Sequence, residues 1–241
     1  QRKLHLQVNP AFFSDPGTVY PVIVDPAFTL NPSFDTYVSS EDTTVNFEAD
    51  ASLWIGTVDG GATVYRSYLN FNSSSWQGMD VVSANLNLYL ASSGSCTPKY
   101  FSVFGVPAAA SGTVWGNAPA LTGTFVSQIA SGGYNATCGA KYVSVDVVSL
   151  LGSADSVSGT IGFGVKATNE TEILSKKRFN SSNAYSNKPY LTVTYNMPPG
   201  AASTPSLTGA SASAGVLSVG SAKPELVSQA VDPDGNSVKL T

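Results

Sequence analysis

Charge is scarce in this sequence. Lys, Arg, Asp and Glu together make up 12% of the 241 residues, about half the share of an average soluble domain. That shortage argues against a cytosolic helical protein, whose surface normally carries many Glu, Lys and Arg residues. The net charge is −4, and the cations are scattered apart from Lys176-Lys177-Arg178. A nucleic-acid surface needs a basic patch or stripe. Three residues at a strand end make neither, so no nucleic-acid partner is expected.

Histidine is scarcer still. His5 alone is present, in the N-terminal lead-in, so Ser-His-Asp and Cys-His catalysis lack a well-placed base. The His-Glu-x-x-His, Gly-x-Ser-x-Gly and Gly-x-x-x-x-Gly-Lys motifs are all missing, which removes the usual metalloprotease, hydrolase and phosphate-loop signatures. Carboxylates alone could build a glycosidase, which needs two acids across a cleft. Asp35, Glu41, Asp42, Glu48, Asp50, Asp59, Glu170 and Glu172 are available, yet their spacing singles out no pair. The chain therefore reads as a non-enzyme. It also lacks the long apolar run that a membrane-spanning helix requires.

Cysteine is limited to Cys96 and Cys138. Each lies in a Gly/Ser/Thr-rich stretch beside an expected strand. An even count in matching contexts favours a disulfide, and hence an oxidising compartment outside the cytosol. Two cysteines and one histidine cannot make a zinc site by themselves.

What the chain has instead is small uncharged polar residues, tyrosine and short β-type runs. The runs recur between turn residues, as in sandwiches and barrels. Strands are expected at Val19–Val24, Asp35–Val38, Ser52–Ile55, Thr63–Phe71, Val81–Leu90, Tyr100–Val106, Tyr142–Val148, Thr160–Lys166, Leu174–Phe179 and Tyr190–Tyr195. Alternation is cleanest in Val81–Leu90. Ala84, Leu86, Leu88 and Leu90 point one way, and Ser83, Asn85, Asn87 and Tyr89 the other, as in a sheet with one wet face. Helix signals are nearly absent, apart from Asp146 as a cap for a short turn over Val147–Leu151.

Composition shifts twice. Residues 1–32 are punctuated by proline, which blocks central-strand pairing, and read as an extended lead-in. Residues 197–206 hold Met197-Pro198-Pro199-Gly200 and read as a linker. Residues 207–241 are too few for a sandwich of their own. They read as the start of a second, immunoglobulin-like β domain within a processed or excised piece of a longer protein.

Sugar recognition uses aromatic faces with amides and carboxylates around them. Trp76, Trp115 and Tyr134 lie in expected loops and are the candidate stacking residues. A loop tryptophan can equally plug the end of a sandwich. Asp35, opening a strand after a Pro-rich loop, is a candidate ligand for a structural calcium ion, which takes carboxylate and carbonyl oxygens.

One ordered set of segments is more specific. It runs Asp35-Thr36-Tyr37-Val38, Leu53-Trp54-Ile55-Gly56, Arg66-Ser67-Tyr68-Leu69-Asn70-Phe71 and Ser83-Ala84-Asn85-Leu86-Asn87-Leu88-Tyr89. It continues with Trp115-Gly116-Asn117-Ala118-Pro119, Val143-Ser144-Val145-Asp146-Val147, Lys177-Arg178-Phe179-Asn180-Ser181 and Pro189-Tyr190-Leu191-Thr192-Val193-Thr194-Tyr195. In order and spacing, residues 33–196 resemble the disaggregatase-related repeat domain known by the letters DNRLRE. The resemblance implies an all-β, antiparallel jelly-roll-like sandwich related to carbohydrate-binding modules. It also implies a setting in secreted, cell-surface bacterial proteins with RHS/YD repeats, similar to polymorphic toxins. Glu48 departs from the pattern, standing where related domains often carry glycine after Asn-Phe. Only fold and class carry over, not individual ligand residues.

Two partner classes follow. One is a polysaccharide or cell-wall glycan held by a non-catalytic module. The other is the remaining domains or chains of the same large protein, with this domain as an assembly element of a shell or filament.

Overall fold

The structure is a computed structural model. It describes residues 27–76, 79–151 and 159–197, with short stretches between 200 and 232. The expected strand Val19–Val24 lies outside the described residues.

The larger unit, Pro26–Pro198, holds eleven antiparallel strands among its described residues. These are β1 Ala27–Leu30, β2 Phe34–Ser39, β3 Ser52–Thr57, β4 Val64–Asn72, β5 Asp80–Ser93 and β6 Lys99–Val106. The remainder are β7 Phe125–Ala130, β8 Lys141–Asp146, β9 Thr160–Ala167, β10 Lys177–Asn180 and β11 Tyr190–Asn196. They join in one curled sheet, ordered β1-β11-β5-β10-β3-β4-β9-β6-β7, with β2 added to β4 and β8 added to β5. Strand β3 turns the corner. It pairs with β10 through Ser52–Ile55 and with β4 through Gly56 and Thr57. The result is a β-sandwich with β1, β11, β5, β8 and β10 in one layer and β2, β4, β9, β6 and β7 in the other.

Period-two alternation explains which side chains meet inside. Leu86, Leu88 and Leu90 of β5, Val143 and Val145 of β8, Leu191 and Val193 of β11, and Phe179 of β10 face Leu69, Phe71, Phe101, Val103, Phe163 and Val165 of the other layer. All are buried. Across the layers, Phe101 and Phe179 rings meet at 5.5 Å. A fully buried side chain of this kind contributes about 1.5–3 kcal/mol.

The second layer is covered on its outside as well. Val38, Tyr68, Phe104, Ala109 and Leu121 form a smaller cluster beneath the segment 107–121. Asn70 fastens that segment, donating to Ala109 O at 2.6 Å and accepting from Ala109 N–H at 3.0 Å. Gly164 makes the close approach possible, because a Cβ there would lie 2.1 Å from Leu121 Cδ2.

Asp146 accepts from Val148 N–H at 3.0 Å and opens a 3-10 turn at Val148–Leu150. A second 3-10 turn at Ile173–Ser175 shifts the neighbouring strand toward Lys177–Asn180, later than the expected Leu174–Phe179. Beyond residue 199 the described residues of the other unit include two small antiparallel ladders. These pair β12 Ser206–Leu207 with β15 Leu226–Val227, and β13 Ala210–Ser213 with β14 Val216–Val219. Among the described residues no helix is long and apolar enough to cross a membrane.

Two features carry measurable stability. Cys96 and Cys138 form a disulfide over a sequence separation of 42. Replacing both by serine is expected to lower stability by about 4 kcal/mol on chain-entropy grounds, read by urea unfolding. Lys177 is fully buried, and burial pushes its ammonium down to about 8. Its folded-state value therefore lies below the unfolded one, and between the two the unfolded chain binds more protons, so stability rises with pH. From about pH 8 to about pH 9.5 the gain is about 2 kcal/mol. Lys177→Met is expected to abolish that rise and to increase stability at neutral pH, measured by the same unfolding curves.

Candidate functional site

The outer face of the β11-β5-β8 layer is set by the same alternation that fills the core. Leucines at 86, 88 and 90 turn inward, so Asn85, Asn87 and Tyr89 turn outward. The register then adds neighbours. Tyr89 stands opposite Tyr142 of β8, and Asn87 stands between Ser144 of β8 and Tyr190 of β11. Asn85 stands between Asp146 and Thr192.

Three tyrosine rings therefore meet on one face. Tyr142 lies 5.1 Å from Tyr89 at an interplanar angle of 70° and 5.4 Å from Tyr190 at 66°. These edge-to-face contacts suit the ring quadrupoles. Tyr142 is the exposed member, at 39%. Its hydroxyl donates to Lys188 O at 3.1 Å. Burial first, and then Tyr190 and Tyr89, push its ionisation up, so the hydroxyl stays neutral and remains a donor. The ring is held from its edge and from its tip, while the Asn87 amide donates to Asn85 O at 3.0 Å beside it.

A groove adjoins this face. Among the described residues β7 pairs only with β6 and β8 only with β5. The gap between these two strands encloses about 350 Å³, lined by Gln128, Ile129, Ser131, Lys141, Tyr142 and Ser144 among others. Tyr142 thus belongs to both face and groove. An apolar ring flanked by amide, hydroxyl and ammonium groups can stack on a sugar ring and hydrogen-bond its hydroxyls.

The residues expected from sequence lie elsewhere. Trp76 does not line a ligand surface. It is fully buried and stacks on Phe28 at 5.7 Å, and its indole N–H has no hydrogen-bond partner among the described residues. Its 3-10 turn, Ser74–Trp76, folds the ring into the core, so a residue expected in a loop serves packing. Trp115 is half-buried against the Tyr68 cluster. The Arg66 guanidinium lies 4.8 Å over its ring, and Arg66 is itself held by Glu170 at 2.8 and 2.9 Å. Cation and cluster each cover part of the ring. Tyr134 is 56% exposed, in the loop that Cys138 closes. Gly133 packs that loop on the Ala91–Ser92 backbone, where a Cβ would clash at 2.7 Å.

Asp35 is buried and bonds within the protein. Its two oxygens accept from Ser182 N–H at 2.6 Å and Ser182 Oγ at 2.9 Å. Burial raises its pKa, against these two hydrogen bonds. Among the described residues no group of three or more His, Cys, Asp and Glu could hold a metal ion. Both Asp35 oxygens are thus taken up by Ser182 donors, which hold the loop that carries Ser182.

Tyr142, Tyr190 and the fully exposed Tyr185 were not singled out from sequence. Outward alternation on Val81–Leu90 gave Tyr89 its face, but only the strand register supplies its partners.

Comparison with known proteins gives the class. The tRNA3(Ser)-specific nuclease WapA of Bacillus spizizenii is 28% identical over 218 residues, covering 85% of this chain and 9% of that protein. The tRNA nuclease WapA of Bacillus subtilis (strain 168) is 28% identical over 211 residues, covering 82% of this chain and 9% of that protein. The chain thus spans only a small part of these relatives. Residues 26–195, which hold the whole eleven-stranded sandwich apart from the last residue of β11, match carbohydrate-binding module family 96, and the chain belongs to that family.

Proposed function

We propose that this chain is a non-catalytic glycan-binding module that holds a larger exported bacterial protein at a cell wall. The observation that carries the reading is the tyrosine face with its groove, on a domain of a carbohydrate-binding family. Tyr142 is the stacking platform, framed by Tyr89 and Tyr190. Gln128, Lys141 and Ser144 supply polar contacts from the groove. Tyr134, exposed beside the disulfide, is an accessory stacking residue.

Relatives far longer than this chain support the role of one module among many. The DNRLRE resemblance supports an RHS-type setting for the parent protein, and the disulfide supports an oxidising location. The small ladders beyond residue 199 are compatible with an immunoglobulin-like β domain there. Nucleic-acid cleavage, which the relatives' names describe, has no basis among the groove residues, which lack a carboxylate. The same lack argues against glycosidase chemistry there.

Retention of the chain on purified bacterial cell walls and insoluble polysaccharides tests the reading. Tyr142→Ala is expected to weaken retention at least about tenfold, equivalent to about 1.4 kcal/mol, with the unfolding curve unchanged. Tyr142→Phe, which loses only the bond to Lys188, is expected to bind within a few-fold of the native chain. Absence of binding to every polysaccharide, from folded and disulfide-bonded protein, would move the assignment to the assembly role.

A further inference from the structure

A second cleft lies apart from the tyrosine groove, with no lining residue in common. It encloses about 400 Å³ between Ser33, Phe34, Asp35, Glu48, Ser182 and Asn183. Four chain segments meet there, and Glu48 ties three of them together. Its backbone N–H donates to Asn46 Oδ1 at 3.0 Å, which fixes the turn. Its carboxylate then reaches the 107–121 segment, accepting from Ser111 Oγ at 3.1 and 3.2 Å and from Gly112 N–H at 3.3 Å. Its carbonyl accepts from Asn183 Nδ2 at 2.7 Å. Asp35 fastens the far side through Ser182. A glycine at position 48 would leave the cleft without this wall.

The chemistry of the lining is mixed. Phe34 offers a half-buried ring. Ser33 and Ser111 offer hydroxyls, and Asn183 an amide. A carboxylate has about four acceptor positions, and the donors from Ser111 and Gly112 leave some of Glu48's free. The Glu48 and Asp35 carboxylates in one cleft disfavour anions such as uronates and phosphates as occupants. A planar acceptor and an aromatic ring in one cleft instead suit adjacent hydroxyl donors on a ring with an apolar face. We propose that this cleft is a second sugar subsite, which holds a neutral sugar through two neighbouring hydroxyls on the Glu48 carboxylate and its apolar face on Phe34. The inference goes beyond the tyrosine face, and neither site needs the other. Together they would let one module grip two points of a glycan, where a second contact raises avidity through effective concentration.

The test is an amide-resolved NMR titration of the full chain with glucose, galactose, mannose and N-acetylglucosamine, and separately with glucuronate and calcium chloride. At least one neutral sugar is expected to shift the amides of Ser111, Gly112, Ser182 and Asn183, while glucuronate and calcium leave them in place. Glu48→Gln is expected to weaken that sugar at least about tenfold. Ala49→Trp, an exposed change that fills the cleft, is expected to abolish the shifts even if the Glu48 variant fails to fold. Tyr142→Ala is expected to leave them intact, which separates this site from the tyrosine face. The proposal is overturned if no neutral sugar moves these amides. It is equally overturned if the shifts survive Ala49→Trp, or if calcium or glucuronate produces them in place of a neutral sugar.

Discussion

Burial of Ala84, Leu86, Leu88 and Leu90 along one side of β5 is the contact on which the other features rest. These four side chains are fully enclosed, and they reach partners from both layers of the sandwich. Because side chains alternate strictly along a strand, a slip of one residue would turn the whole set to solvent. Fixing the leucines inward therefore fixes Asn85, Asn87 and Tyr89 outward. Pairing with β8 and β11 then brings Tyr142 and Tyr190 beside them. The core and the proposed ligand face are two consequences of one register.

The loop 181–188 links the surface features that this register leaves outside. Asp35 holds it at Ser182, Asn180 donates to Ser186 O at 2.9 Å, and Lys188 O receives the Tyr142 hydroxyl. Asn187 adopts a positive φ of 52°, which asparagine tolerates better than most residues. A loop held at both ends keeps the exposed tyrosine ring in one orientation, and a preorganised ring loses less entropy on binding. The opposite outer face is used differently. There Asn70, Tyr68 and Gly164 accept the covering segment 107–121, with Tyr68 donating to Pro119 O at 3.0 Å.

Much of this fold was legible because alternation is a local signal. The inward set of β5 could be read from the sequence directly, as could Val143 and Val145 of β8 and the pairing of Cys96 with Cys138. Strand β7 could not. Phe125 and Ile129 are large apolar residues that remain about half exposed, so the run lacks a clear buried face. Trp76 was misplaced because the polar sequence around it reads as loop, while its ring turns back onto Phe28. Trp115 reads from sequence as either packing or binding, and Arg66, which lies over its ring, comes from a distant strand. The tyrosine face depends on which strands become neighbours, and residues 89, 142 and 190 are joined only through long-range pairing. The role of Glu48 was equally hidden. Its departure from the related pattern was visible, but its reach to Ser111 needs the folded loops.

In the proposed binding mode one outward tyrosine cluster, and not the tryptophans, meets the glycan. The most direct measurement is a titration of the chain with a soluble oligosaccharide from the polysaccharide that retains it, followed in the aromatic carbon–proton NMR spectrum. The ring signals of Tyr89, Tyr142 and Tyr190 are expected to shift together, while those of Trp76 and Trp115 stay where they are. Saturable binding that shifts Trp115 and leaves the three tyrosines unmoved would contradict that binding mode.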